Sequence, residues 1–311
     1  MKIHQLRALL AICESGSIQE ASRTLHISQP SLSRSIKELE AELGVSLLVR
    51  SNRGITLTQY GEHLVTRARL IVEEVRRAKH EIETLKGSMD GSVTLGVSPV
   101  TPSTRFVDCV ARFRQRHPQV RLQIEELRPS KLIEGMREGR LDLVLTSYGG
   151  ARHLEGFECI ELYQEPGALA VRKDHPSSEL RALRDLRKLN WILPDRIEDS
   201  PVASMFAEQR LMPPDNLMTC SSLVMYLELA TRTDAVSFWS KRGMALGDLR
   251  DHLQVLQVIE AVPSFTFSMV SREASLLTRE AAALAEDIVY EFYGNRCVTG
   301  QPQVSDEMLV C

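Results

Sequence analysis

Gln29, Ser31, Ser33, Arg34 and Lys37, with Pro30 among them, bring an amide, two hydroxyls and two cations into one nine-residue stretch. Such groups suit nucleic acid: Gln pairs bidentately with adenine and Arg with guanine, while Ser and Lys meet phosphates or base edges. Arg50 and Arg53 follow at a turn, where a cation near the phosphate backbone adds affinity more than sequence choice. A second set, Ser98, Thr101, Thr146, Ser200 and Ser222 with Arg128, offers hydroxyls and one cation near the ends of expected strands, a chemistry for holding a carboxylate-like anion. Taken singly, each of these Ser and Thr residues reads first as a helix cap. There is no Gly-rich phosphate loop, G-x-S-x-G elbow or H-E-x-x-H pair, so no catalytic residue, cofactor or enzymatic activity is expected. Six cysteines, at 13, 109, 159, 220, 297 and 311, form no C-x-x-C pair and lack His at metal-ligand spacing, so no metal site is expected and reduced thiols are the favoured state.

The elements that must position the first set read clearly. Ile3, Leu6, Leu9, Leu10 and Cys13 recur at helical spacing, and Ser17 with Glu20 is a capping-box pattern opening a short helix that stops near His26. Ser28 can cap a third helix, with Pro30 tolerated in its first turn. There Leu32, Ile36, Leu39 and Leu43 make an apolar stripe, which leaves Pro30, Ser33, Arg34 and Lys37 on the opposite face and Gln29 and Ser31 at the tip. This is a helix-turn-helix pattern, although three amphipathic helices with a polar outer face also occur in domains without DNA. Apolar-rich segments at Ser46 to Arg50 and Gly54 to Leu57, around Ser51-Asn52-Arg53, predict a hairpin with a basic tip.

From Thr58 a helix runs without Pro or Gly from Glu62 to Lys86. Leu64, Ala68, Ile71, Val75, Ala78, Ile82 and Leu85 alternate steps of four and three, the repeat of a coiled-coil seam, so a dimer interface is expected ahead of packing on the same chain. Gly87-Ser88-Met89-Asp90-Gly91 then breaks the helix. Beyond it Val93 to Val97, Val120 to Glu126 and Leu141 to Thr146 read as strands, with helices at Thr104 to Arg116 and Lys131 to Glu138 between them. This predicts a parallel β-α-β-α-β lobe. A second series has strands near Leu169 to Arg172, Trp191 to Leu193, Leu217 to Cys220 and Ala235 to Phe238, then late strands at Leu253 to Val258 and Phe265 to Ser271 and a closing helix from Leu276 to Tyr293.

The net charge of −3 divides unevenly. Residues 1–87 carry 13 Lys and Arg against 10 Asp and Glu, or +3, so the remainder carries −6 and the basic excess lies where DNA contact is expected. No apolar run approaches a membrane span, and the N-terminus lacks the order of a signal peptide, so a soluble cytoplasmic protein is expected.

Ala21, Ser28-Gln29-Pro30-Ser31-Leu32-Ser33, Ile36, Leu39-Glu40, Leu43-Gly44, Leu47-Leu48, Arg50, Arg53-Gly54, Leu57-Thr58 and Gly61 together resemble the LysR-type transcriptional regulators. The resemblance implies that Gln29, Pro30, Ser33, Arg34 and Arg53 lie at or near double-stranded DNA, and that the long helix pairs two chains into a dimer, with a tetramer as the larger assembly. It also implies that a C-terminal domain binds a small-molecule effector, often an organic anion, which adds weight to Ser98 and Thr101 and makes Arg128 a counter-ion. RNA polymerase is a further candidate partner.

The expected fold is thus α plus α/β: a winged helix-turn-helix over residues 1–58, a linker helix over 59–87 and a two-lobed α/β domain of the periplasmic-binding-protein type over 88–296. Its first lobe takes in about 92–164 and 266–296, its second about 165–265, and 297–311 form a flexible tail. A solute-binding protein and an enzyme with an appended DNA module are the rival readings; the N-terminal reader counts against the former.

Overall fold

The computed structural model describes residues 1–51, 54–87, 91–99, 104–147, 154, 156–241, 243–245 and 249–294. They divide into two compact units, one of Met1–Gly91 with Arg137–Arg140, the other of Ser92–Met136 and the chain from Leu141 onward.

In the first unit α1 (Ile3–Ser15), α2 (Ile18–Thr24) and α3 (Gln29–Leu43) precede an antiparallel hairpin of β1 (Leu48–Ser51) and β2 (Gly54–Leu57), and α4 spans Gln59–Leu85. Leu9 and Ile12 of α1, Ala21 of α2, Leu32, Ile36 and Leu39 of α3, Leu47 and Val65 share one core. The apolar stripe of α3 closes a turn earlier than expected. Leu43 is 40% exposed, because the chain leaves the helix at Gly44, whose φ of +69° suits glycine.

Ser28 and Thr58 cap α3 and α4 by accepting from the amides of Ser31 and Gly61. The expected capping box at α2 forms only half. Ser17 accepts from the Gln19 amide at 3.2 Å, but Glu20 pairs with Arg23 at 2.7 Å, and the Ser17 amide donates to Ser15 Oγ instead. Glu40 has a role the periodicity did not suggest: its Oε1 accepts from the amides of Leu47 (2.7 Å) and Leu48 (3.2 Å), pinning the start of the hairpin to α3.

Along α4 the seven seam residues do not share one environment. Ala68 is 0% exposed within its own chain, so it is removed from the seam: no surface is left there for a second copy. Towards the other end Ile82 is 52% and Leu85 84% exposed.

The second unit contains two five-stranded sheets. The first has the order β4-β3-β5-β12-β6, from β3 (Ser92–Val97), β4 (Arg121–Glu126), β5 (Leu143–Thr146), β6 (Glu158–Glu165) and β12 (Phe265–Ser271). Its α5 (Thr104–Arg116), α6 (Pro129–Arg137) and α11 (Arg279–Tyr293) cover the faces, with Arg112 and Arg116 of α5 paired to Glu291 and Asp287 of α11. The second has the order β11-β7-β10-β8-β9, from β7 (Gly167–Arg172), β8 (Asn190–Leu193), β9 (Asn216–Thr219), β10 (Ala235–Ser240) and β11 (Leu253–Val255). Its helices are α7 (Leu183–Leu186), α8 (Val202–Glu208), α9 (Leu223–Arg232) and α10 (Leu249–His252). These sheets are the cores of a first and a second lobe.

Neither sheet is wholly parallel. β3, β4 and β5 run parallel, but β12 returns antiparallel to β5 and pairs antiparallel with β6. In the second lobe β8, β9 and β10 run parallel while β7 opposes both β10 and β11. Strand β6 was not expected, since Glu158, Glu161 and Glu165 interrupt its apolar pattern; its order comes from pairing with β12 rather than from a buried face of its own. Gly96 of β3 lets α6 settle on the sheet, as a Cβ there would stand 2.5 Å from Leu132 Cδ2 and 2.7 Å from Leu141 Cδ1.

Candidate nucleic-acid interface and ligand cleft

Burial of Leu32, Ile36 and Leu39 fixes the rotation of α3 and turns Gln29, Pro30, Ser31, Arg34 and Lys37 outward, with Ser33 half-buried beside them. A shallow hollow on this face is lined by Pro30, Ser33, Arg34, Lys37, Glu38 and Ala41. Two groups are already engaged. Arg34 Nε donates to Glu38 Oε1 at 2.9 Å one turn on, both side chains remaining in solvent. Ser31 Oγ lies 2.8 Å from the capping Ser28 Oγ, so its hydroxyl belongs partly to the cap. Arg50 falls on β1 opposite Ile55. Arg53 and Thr101 lie outside the described residues.

In the first lobe the parallel order β4-β3-β5 sets three carboxyl ends side by side, which places Arg128, Ser98 and Thr146 along one rim. The Ser98 amide donates to Leu145 O at 2.9 Å, and Leu127 N to Val97 O at 3.0 Å, so the segments leaving β3 and β4 continue the ladder. Ser98 and Thr146 are both about 1% exposed. Thr146 Oγ1 has no hydrogen-bond partner among the described residues, and a buried hydroxyl without one costs stability unless a ligand or water completes it.

The second-lobe residues are otherwise occupied. Ser222 caps α9, accepting from Met225 N, and Ser200 Oγ accepts from Val202 N at 3.3 Å at the start of α8. Ser222 therefore serves as a helix cap, the alternative open for such residues from the start, while Ser200 bonds locally one residue ahead of Pro201, the N-cap position of α8. Arg128 is not a free counter-ion either: Nη1 lies 3.7 Å from Oδ1 of Asp195 in the second lobe. Asp195 was missed by the sequence reading, although the rule that singles out residues just past each strand points to it two positions beyond β8.

Among the described residues no group of His, Cys, Asp and Glu could hold a metal ion, and no helix is long and apolar enough to cross a membrane. Burial pushes the Cys109 thiol up to about 11, so at neutral pH it is protonated and a poor nucleophile.

Two family models match the chain: "Bacterial regulatory helix-turn-helix protein, lysR family" over residues 3–62 and "LysR substrate binding domain" over residues 86–292. The DNA-binding transcriptional dual regulator OxyR of Escherichia coli (strain K12) is 27% identical over 294 residues, 93% of this chain and 95% of that protein. The uncharacterised HTH-type transcriptional regulator YybE of Bacillus subtilis (strain 168) is 32% identical over 195 residues, 62% of this chain and 66% of that protein. Among solved structures, CbnR, a LysR family transcriptional regulator, superposes with a TM-score of 0.64 at 20% identity, covering 94% of this chain and 99% of that one. Full-length OxyR C199D from Pseudomonas aeruginosa does so with a TM-score of 0.58 at 21% identity, covering 94% and 97%. With a helix-turn-helix model over its first unit and a substrate-binding model over most of the rest, this chain belongs to the LysR family of DNA-binding transcriptional regulators with an effector-binding domain.

Proposed function

We propose that this regulator reads its operator with the outer face of α3 and answers to a small organic anion held at the strand ends of its first lobe. The α3 face carries the reading: Gln29, Pro30, Ser33, Arg34 and Lys37 stand over a buried stripe, with Ser31 at the cap and no apolar side chain larger than Pro30 among them. Arg50 and Arg53 add phosphate contacts from the wing. CbnR, solved in complex with its target DNA and similar in fold here with a TM-score of 0.60, supports DNA as the partner.

Gln29→Ala and Arg34→Ala are expected to cost about 1–3 kcal/mol of discrimination between operator and scrambled DNA. Arg53→Ala should weaken both DNAs alike and flatten the salt dependence. Binding titrations at several salt concentrations check this, and an equal loss on both DNAs for all three variants would reduce α3 to a backbone contact.

The effector reading rests on the buried Thr146 hydroxyl beside Ser98. Thr146→Val removes an unpaired polar group at nearly constant shape, so the free protein should be as stable as before or slightly more so. Affinity for any acid identified by thermal shift in a panel of mono- and dicarboxylates should fall about tenfold. A variant that loses stability yet keeps full affinity contradicts the assignment.

Control follows if the effector favours one arrangement of the lobes over another, since equal affinity would shift nothing. The assembly is a dimer or tetramer paired through α4 and spanning two or more half-sites, and its output passes to RNA polymerase at the promoter, in the cytoplasm. No catalytic step is assigned to the protein.

A further inference from the structure

Asp195 is 2% exposed, an expensive place for a carboxylate unless it is paired. Its partners come chiefly from the first lobe. Oδ2 accepts from Ser130 Oγ at 3.1 Å and from the Ser130 amide at 3.4 Å, Oδ1 faces Arg128 Nη1 at 3.7 Å, and the Arg196 amide, donating to Oδ1 at 2.9 Å, is the partner from its own lobe among the described residues. Ser130 sits in the first turn of α6, where the helix dipole favours negative charge; Pro129 has no amide to offer and those of Lys131 and Leu132 donate to Arg128 O, so the Ser130 amide is the one turned to the carboxylate. Arg128 precedes the same turn and adds a full positive charge. The first lobe thus presents a built anion site, and the second lobe supplies the anion.

We propose that Arg128 and the first turn of α6 form a carboxylate site whose resident occupant is Asp195, clasping the two lobes of the effector domain together. Parting the lobes requires this carboxylate to leave its site, so the clasp sets how readily the cleft opens. It also directs a bound acid away from Arg128 and towards Ser98 and Thr146. The clasp stands without the effector reading, and its test contains no effector.

Chemical rescue in the full-length protein tests it. Asp195→Ala should raise hydrogen exchange at the Ser130 amide about tenfold and leave the amides of β3 and β5 unchanged. Formate at millimolar concentration should restore protection saturably, whereas chloride at matched ionic strength should not. The formate effect should vanish in Asp195→Ala/Arg128→Ala. Unchanged exchange at Ser130, equal action of formate and chloride, or full rescue without Arg128 would each overturn the proposal. Should Asp195→Ala fail to fold, Arg128→Ala alone, at a side chain about one-third exposed, provides the second arm. It should raise exchange at the Ser130 and Arg196 amides, and unchanged exchange at both overturns the clasp.

Discussion

With Ile82 and Leu85 both replaced by glutamate, the protein is expected to sediment as a monomer at micromolar concentration and to lose about 100-fold in affinity for an operator with two half-sites. Affinity for a single half-site should stay within about twofold, because neither residue touches the core of the winged head. The physical basis is the exposure of these two side chains in the single chain, beside Glu81 and Glu83 and on the four-and-three repeat that leads to them. The far end of a helix whose first turns are anchored in the head has no reason to hold large apolar groups in water unless a second copy covers them. Introduced carboxylates would be buried in that seam, in a setting that already carries acidic neighbours. Sedimentation equilibrium together with half-site and full-site titrations measures both quantities. A double variant that remains dimeric would place the interface elsewhere.

Gly61→Ala is expected to lower the melting temperature of the winged head by about 10 °C and to reduce binding to all DNA sequences alike. A Cβ at this position would lie 2.2 Å from the Leu47 carbonyl oxygen and 3.1 Å from Leu57 Cδ2. That carbonyl accepts from the Thr58 amide at 2.9 Å, while Thr58 Oγ1 donates to Ser46 O at 2.7 Å and caps α4 through Gly61 N. One added methyl therefore meets backbone at the junction where hairpin and α4 join. Overpacking against backbone costs about 1–3 kcal/mol, and in a domain of this size each kcal/mol moves the midpoint by about 4–8 °C. Calorimetry of the full-length chain should show the head melting earlier with the second unit unchanged. A wild-type melting profile would mean that the junction yields more easily than its contacts suggest.

Both predictions concern residues whose importance is unevenly visible in the sequence. Leu32, Ile36 and Leu39 announce α3 by spacing alone, because helical geometry converts a period of 3.6 into one buried face without any help from the rest of the chain. The polar set Gln29, Pro30, Ser33, Arg34 and Lys37 follows from the same arithmetic. Caps at Ser28 and Thr58 were equally legible, being local bonds within four residues. Long-range partners were not. Glu20 had the right type and position for a reciprocal cap, yet its carboxylate pairs with Arg23, a competition that no spacing rule resolves. Glu40 looked like one more surface charge until the fold brought Leu47 and Leu48 to it.

Helical faces, caps, the wing and the β-α-β-α-β succession were determined by the sequence itself, since each depends on neighbours at most a few turns away. Only the tertiary structure decided what lies across a gap. It took Ala68 out of the seam and left Ile82 and Leu85 in water, made β6 a strand through its pairing with β12, and gave Ser200 and Ser222 to helix ends. Above all it joined Arg128 and Ser130 to Asp195, some 65 residues on. The physical reason is common to these cases: a charge or an apolar face has many acceptable partners in sequence, and burial beside one of them selects which is used.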